Sequence, residues 1–119
     1  MKKTLICIIA LLVTLTLASV SFSTTMGEKN ALKSAKAYLN YTSFSYQGLI
    51  EQLKYEEYSH AEAVYGVDNC GADWNEQAVR SAEQYLEYSP FSRNGLIEQL
   101  KYDGFTHEQA VYGVEANGY

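Results

Sequence analysis

Residues 48–55 read GLIEQLKY, and the same eight letters return at residues 95–102, an offset of 47 positions. Outward from this octapeptide, residues 31–71 align with residues 78–118 without a gap, and more than half of the aligned positions are identical. Self-similarity at a fixed offset is the sequence signature of a tandem repeat, so the chain holds two similar units of about 45 residues each.

The apolar residues of each unit recur at the spacing of α-helices. In the second unit Ala78, Ala82 and Tyr85 fall on one stripe of a helix whose N-terminal cap is Asp73 or Asn75. The first unit repeats this stripe 47 residues earlier. A shorter second helix follows in each unit, and a serine stands before it in the position of a cap. These predicted caps are Ser45 and Ser92.

The third helix of each unit has the clearest start signal. Ser59 and Thr106 each begin a capping box, in which a hydroxyl and a Glu or Gln side chain satisfy backbone N–H groups reciprocally. A glycine follows in the middle of each helix, although it costs about 1 kcal/mol there relative to alanine. Because this unfavourable residue is repeated, the sequence predicts a close approach between helices at Gly66 and Gly113.

These patterns predict an all-α protein, a tandem repeat of two three-helix units behind an N-terminal export segment. Three short helices with a tight turn before the last resemble a helix-turn-helix unit in topology. The expected boundaries are 1–23 for the export segment, 24–72 for the first repeat and 73–119 for the second. Units of this size bury little apolar surface, so we expect the two copies either to pack on each other or to be unusually well built.

The first 23 residues have the three-part layout of a secretory signal. Lys2 and Lys3 open the chain, an apolar run extends over residues 5–20, and small polar residues follow. A cleaved signal peptide and an uncut N-terminal membrane anchor both fit this layout, since about 18 largely apolar residues can span a bilayer of roughly 30 Å. Both alternatives place the rest of the chain outside the cytoplasm.

The charge of the chain argues against a nucleic-acid partner. The 119 residues carry a formal net charge of −5; without Lys2 and Lys3, seven basic residues face 14 acidic ones, a net charge of −7. Affinity for phosphates requires clustered Lys and Arg. The third helix of the second unit, which would be the recognition helix of a helix-turn-helix, contains neither. We therefore expect a basic or neutral protein partner.

The sequence offers no arrangement typical of catalysis. It contains no nucleophile elbow, zinc-protease helix or phosphate-binding glycine loop, so we expect a protein that is not an enzyme and needs no cofactor. His60 and His107 occupy equivalent first-turn positions, where exposure to solvent is expected, and their acidic neighbours are not repeated, so no metal site is predicted. Cys70, the single cysteine after the export segment, is expected to be partly buried at a helix end.

Three motifs occur in both units: AxxSAxxYL, FSxxGLIEQLxY and AVYGV. Together with the junction NCGADWNEQA at residues 69–78, they resemble the Ltp-like host cell surface-exposed lipoproteins of Gram-positive bacteria and their phages. The resemblance implies tandem helix-turn-helix-like units displayed outside the membrane. It also implies superinfection exclusion, in which the protein blocks injection of incoming phage DNA by binding the tape measure protein of the phage tail.

One residue departs from the pattern of that family. Val20 stands where the resemblance places the lipid-bearing cysteine, after Leu17, Ala18 and Ser19. Lipidation is therefore disfavoured, and a secreted product and an uncut anchor at the cell surface remain as alternatives.

The main functional hypothesis is an exported cell-surface module that binds a phage protein, and that contacts the membrane through its N-terminal segment if this is uncut. Its predicted binding face is acidic and tyrosine-bearing, because charge of one sign steers association. The alternative is a chromosomal cell-envelope protein with a structural or adhesive role and no antiphage activity. The candidate binding residues, all in the second repeat, are Glu87, Glu98, Tyr102, Asp103, Glu108, Tyr112 and Glu115.

Overall fold

The computed structural model describes residues 23–119, which form six α-helices and, within that range, no β-strand. Each repeat contributes three helices, so the predicted all-α tandem repeat is confirmed. The predicted export segment lies, except for Ser23, outside the described residues. The helices are α1 (Met26–Tyr41), α2 (Tyr46–Tyr55), α3 (His60–Asn69), α4 (Trp74–Tyr88), α5 (Arg93–Tyr102) and α6 (His107–Ala116).

Each of these helices begins after a side chain that accepts a hydrogen bond from a backbone N–H three residues on. The capping boxes predicted at Ser59 and Thr106 are both formed, and Thr25 begins a further one. Asp73, and not Asn75, caps α4. Because the first N–H groups of a helix have no partner within the helix, these caps determine where each helix starts.

The turn between the second and third helices requires a residue in the left-handed conformation. Gly104 fills this position in the second repeat with φ of 101°, whereas Glu57 fills it in the first with φ of 73°. This conformation costs a residue with a Cβ atom about 1–2 kcal/mol. The next residue closes the turn in both copies by donating its N–H to the carbonyl of a buried leucine. The first repeat therefore turns without glycine, as its sequence requires.

Each repeat has a hydrophobic core of its own. All three helices of a repeat contribute to it, and each fully buried leucine stabilises the fold by about 1.5–3 kcal/mol relative to an exposed one. Of the two expected arrangements, the structure shows two separately packed units and no shared core among the described residues. The buried apolar residues are Ala31, Ala35, Leu49, Ile50, Leu53, Ala63 and Val67 in the first repeat, and Ala78, Ala82, Leu96, Ile97, Leu100, Phe105, Ala110 and Val114 in the second.

The third helix of each repeat touches the first at a glycine. A Cβ atom added at Gly66 would lie 2.7 Å from the carbonyl carbon of Ala31, and one added at Gly113 would lie 2.6 Å from that of Ala78. Both distances are far inside van der Waals contact, and the obstructing atoms are backbone. The close approach predicted from the repeated glycine is thus present in both copies.

The two repeats are joined by a polar clasp, which we define as the hydrogen bonds between residues 42–45 and the second repeat. Ser43 Oγ donates to Gln84 Oε1 at 3.0 Å and therefore accepts from Ser81 Oγ, at 2.7 Å. Ser81 is buried. Ser43 aligns with Pro90 of the second repeat, and Gln84 aligns with Ala37 of the first. Because Pro90 and Ala37 lack these hydrogen-bonding groups, the clasp depends on differences between the copies.

Two further bonds of the polar clasp involve backbone groups. The N–H of Phe44 donates to Oε1 of the buried Gln77 at 3.1 Å. The hydroxyl of Ser45 donates to the carbonyl oxygen of Asp103 at 2.6 Å while its oxygen also caps α2. One residue thus both starts a helix of the first repeat and holds the second repeat in place.

Trp74 adds an apolar contact at the junction. It is the first residue of α4, yet its side chain packs against the core of the first repeat. Its ring meets that of Tyr46 edge to face, with centroids 5.5 Å apart and an interplanar angle of 86°. Such aromatic pairs contribute about 0.5–1.5 kcal/mol beyond the area they bury.

The glycine contact generates a stability prediction. We expect Gly113→Ala to lower the free energy of unfolding by about 1–3 kcal/mol, because its methyl group would force α6 away from α4. Urea unfolding followed by far-UV circular dichroism measures the change. Ala61→Gly, at an exposed position of α3, is the control and should cost at most about 1 kcal/mol. A Gly113→Ala protein as stable as the wild type would contradict the close approach.

The polar clasp generates a second prediction. Gln77→Ala leaves the N–H of Phe44 without its buried acceptor, so we expect a loss of about 1–3 kcal/mol in the free energy of unfolding. Asn30, the aligned residue of the first repeat, is exposed, and Asn30→Ala is therefore the matched control. Equal effects of the two substitutions in urea unfolding would show that the clasp does not stabilise the junction.

Candidate functional site

Helix α6 brings three of the predicted binding residues together. Glu108, Tyr112 and Glu115 follow one another at intervals of four and three residues, so they share one face of the helix. All three are exposed. With His107 and Val111 they line a shallow groove of about 360 Å³, which we call the α6 groove.

One carboxylate of the α6 groove already has a partner. Arg93 at the start of α5 donates to Glu115 Oε1 at 2.9 Å, and both side chains are about half exposed. An ion pair so close to solvent contributes about 1 kcal/mol or less, and a stronger partner can displace it. The pair engages Glu115, whereas among the described residues no hydrogen bond or salt bridge engages the side chain of Glu108.

The first repeat has a related contact in the same place. Tyr46, aligned with Arg93, donates its hydroxyl to Oδ1 of Asp68, aligned with Glu115, at 2.7 Å. This hydrogen bond, followed by partial burial, raises the pKa of Tyr46 above its ordinary value. Both repeats therefore hold the acidic residue near the end of the third helix by a side chain from the second helix.

Three other predicted residues lie on different helices. Glu98 and Tyr102 are exposed on α5, where Glu98 accepts from Lys101 Nζ at 3.1 Å. Glu87 is exposed near the end of α4. None of these three lines the α6 groove described above. The structure therefore distributes the predicted face over three helices, and α6 carries its most compact part.

Asp103, the remaining predicted residue, accepts hydrogen bonds from two side chains of the protein itself. Its Oδ2 accepts from the hydroxyl of Tyr85 at 2.6 Å and its Oδ1 accepts from Gln99 Nε2 at 3.2 Å. Burial, and then the hydrogen bond to Asp103, raise the pKa of Tyr85 to about 12. Asp103 thus lines a cleft between the repeats, and its carboxylate is engaged within the protein.

That cleft is a feature that sequence reasoning missed. It has a volume of about 340 Å³ and lies where residues 43–48 of the first repeat meet α4 of the second. Ser81, Gln84 and Tyr88 line it from α4. The available signal was the difference between aligned residues, since Gln84 aligns with Ala37 and Ser43 with Pro90.

The histidines and the free cysteine occupy ordinary structural positions. His60 and His107 are exposed at the first residues of α3 and α6, as expected for first-turn residues. Cys70 caps the end of α3, half-buried, and its Sγ donates to the carbonyl of Val67 at 3.0 Å. Within residues 23–119 no three His, Cys, Asp or Glu side chains form a group able to hold a metal ion.

The fold and these surfaces define a tandem helix-turn-helix-like module with acidic and aromatic side chains exposed on its second repeat. The chain belongs to the family described as host cell surface-exposed lipoprotein, which matches it twice, over residues 27–70 and 73–116. The family description agrees with the extracytoplasmic location expected from the sequence.

A solved structure is similar to this chain at the level of both sequence and fold. It is that of Ltp, a superinfection exclusion protein from the Streptococcus thermophilus temperate phage TP-J34, with 33% sequence identity and a TM-score of 0.73. The match covers 78% of this chain and 97% of that one. A search of curated proteins finds no match. In the part of the chain that the structure describes, no helix is long and apolar enough to cross a membrane.

The raised pKa of Tyr85 generates a pH prediction. An unfolded tyrosine loses its proton near pH 10, whereas folded Tyr85 keeps its proton up to about pH 12. Its contribution to stability is therefore complete below pH 10 and is lost between pH 10 and pH 12. We expect the wild-type free energy of unfolding to fall over this window, and Tyr85→Phe to show a smaller fall.

Urea unfolding at a series of pH values measures this difference. The exposed Tyr88 supplies the matched control, and Tyr88→Phe should follow the wild-type pH dependence. If Tyr85→Phe also follows the wild-type pH dependence, the partly buried hydroxyl of Tyr85 does not cause the fall in stability.

Proposed function

We propose that this protein is a cell-surface exclusion module that blocks injection of phage DNA by binding a phage tail protein. The similarity to Ltp supports the general role, because that protein is described as a superinfection exclusion protein and matches this chain over 97% of its own length. The family description supports an exposed position at the host cell surface.

The observation that carries the proposal is the α6 groove. Glu108 and Glu115 present two carboxylates on one exposed helix face, and Tyr112, half exposed, lies between them. Tyrosine is enriched among the residues that dominate binding energy in protein interfaces, since its ring supplies apolar area and its hydroxyl a hydrogen bond. A single sign of charge around such an anchor favours a partner of the opposite charge.

The chemistry of the groove supports a basic partner, either a helix or an extended segment. Its Lys or Arg side chains would pair with Glu108 and compete with Arg93 for Glu115, while an apolar side chain packs on Tyr112. The tape measure protein of the tail is the partner that we propose, because it would pass the membrane surface during injection. Glu87, Glu98 and Tyr102 would then form the rim of the contact, and Asp103 would support it from within.

An injection blocker acts where DNA crosses the membrane, so its tether matters. We propose that the N-terminal segment holds the module near the membrane, either as an uncut anchor or for the time before a cleaved product diffuses away. Val20 at the position expected for a lipid-bearing cysteine disfavours a lipid anchor and leaves the uncut segment and the cleaved product as the two forms. The mass of the cell-associated protein distinguishes the two forms.

Charge reversal on α6 tests the binding face. We expect the double variant Glu108→Lys/Glu115→Lys to bind its partner at least roughly tenfold more weakly and to lose exclusion, because both electrostatic steering and the basic partner's ion pairs are reversed. The readouts are phage adsorption and entry of labelled phage DNA, measured separately on cells that express each protein. Adsorption should stay constant while DNA entry is restored.

The matched control reverses two charges of the same repeat on another helix. Glu76→Lys/Glu83→Lys changes exposed residues of α4 and leaves the α6 groove intact, so exclusion should persist. If both double variants lose exclusion equally, the effect is due to net charge and α6 is not the binding face. Unchanged DNA entry with the wild-type protein across a broad phage panel would overturn the exclusion role itself.

A further inference from the structure

Five aligned positions of the two repeats line a cleft in each case, one within the first repeat and one at the junction of the repeats. One is lined by Ser34, Ala37, Tyr38, Tyr41 and Glu56 and has a volume of about 330 Å³; we call it the Tyr41 cleft. The cleft at the polar clasp, about 340 Å³, is lined by the residues aligned with these five, together with residues of the first repeat, and we call it the Tyr88 cleft. Its five aligned residues are Ser81, Gln84, Tyr85, Tyr88 and Asp103.

The tyrosine at the mouth of each cleft is exposed and retained. Tyr41 is 87% exposed and Tyr88 is 91% exposed. A ring that remains in water contributes no burial free energy to the folded state. Among the positions of α1 and α4 that are exposed in both repeats, this tyrosine is the one that is identical. The others have changed their charge: Lys29 aligns with Glu76, Lys36 with Glu83 and Asn40 with Glu87.

The walls of the two clefts share a hydrogen-bond network. Tyr85 donates to Asp103 and accepts from Gln99 Nε2 at 3.2 Å. In the first repeat Tyr38 donates to Glu56 and accepts from Gln52 Nε2 at 3.3 Å. Each network holds a carboxylate that lines the cleft together with the exposed ring, and a serine lines the same cleft. Both clefts therefore offer a flat apolar surface next to several hydrogen-bonding groups.

The surrounding charges indicate which ligand suits both clefts. Lys36 precedes Ala37 beside the Tyr41 cleft, whereas Glu83 and Glu87 precede the lining residues of the Tyr88 cleft. Each cleft has one carboxylate in its lining, Glu56 or Asp103, but the exposed charges on the helix beside it differ, so a ligand selected by its charge would meet different fields at the two sites. An uncharged ligand is insensitive to this difference, and two related clefts suit a ligand built from repeated identical units.

We propose that each cleft binds one sugar ring of an uncharged polysaccharide or oligosaccharide. The apolar face of the sugar stacks on Tyr41 or Tyr88. Its hydroxyl groups bond to the carboxylate, whose oxygens can each accept a further hydrogen bond, and, in the second repeat, to Gln84. Such a protein holds a glycan of the cell surface through two weak sites, which together bind far more tightly than either alone. This inference goes beyond the proposed exclusion role. No residue that lines the α6 groove lines either cleft, and Asp103, which supports the proposed tail-protein contact from within, is shared with the Tyr88 cleft.

The test uses the purified exported protein and a panel of uncharged oligosaccharides. Chitohexaose, cellohexaose, maltohexaose and a dextran hexamer are titrated while amide chemical shifts are recorded by NMR. We expect at least one hexamer to shift resonances around both tyrosines, and its trimer to bind at least roughly tenfold more weakly because it offers fewer rings to the two clefts. Tyr41→Ala and Tyr88→Ala should each weaken the hexamer by roughly tenfold.

The matched control is Tyr55→Ala, which removes a tyrosine that is 84% exposed on α2 and lines neither cleft; it should bind the hexamer as the wild type does. The inference is overturned if none of the four hexamers shifts these resonances, or if the cleft variants bind as tightly as the wild type. Oligo-lysine shifting the cleft resonances in place of the sugars would overturn it in favour of a basic protein ligand. Phage DNA entry is not a readout here, so failure of this inference and failure of the exclusion role are separate results.

Discussion

The contact on which both repeats depend is the approach of the third helix to the first at Gly66 and Gly113. Because a hydrogen atom replaces a side chain there, the backbones meet directly. The alanines that face the contact are fully buried, namely Ala31, Ala35, Ala63, Ala78, Ala82 and Ala110. A unit of about 45 residues has no room for a thick core. Close helix packing compensates, since it lets a few leucines and valines be enclosed completely, and the opposite face of α6 stays free for a partner.

Joining the repeats requires a different kind of interaction. The polar clasp consists of directional hydrogen bonds to Gln77, Ser81, Gln84 and the carbonyl of Asp103, supported by the Trp74 ring. Directional bonds specify one arrangement where an apolar surface would allow several, because a buried donor or acceptor left unpaired costs about 1–3 kcal/mol. Pro90 and Ala37 occupy the aligned positions in the opposite repeats, so the two copies are not interchangeable. The clasp also forms one wall of the Tyr88 cleft.

The sequence predicted the local structure well because its signals are local. Caps at Ser45, Ser59, Ser92 and Thr106 depend on bonds that span three residues, and the helical stripes depend on spacing alone. The site was less accessible. Helical periodicity places Glu108, Tyr112 and Glu115 on one face, and this can be read from their spacing in the sequence. The ion pair of Glu115 with Arg93 cannot be read in this way, because it joins two helices. The engagement of Asp103 by Tyr85 likewise joins residues 18 positions apart, and no spacing rule reveals it.

By itself, the sequence determined two copies of a three-helix unit, their caps, the glycine contact and an acidic surface, since each follows from short-range periodicity or from the repeat. Only the tertiary structure decided that the cores are separate, that a polar clasp links them and that the predicted binding residues lie on three helices. It also showed that five aligned positions line both the Tyr41 cleft and the Tyr88 cleft. The physical reason is that side-chain hydrogen bonds and clefts form between segments far apart in the chain, where partner and geometry depend on how whole helices pack.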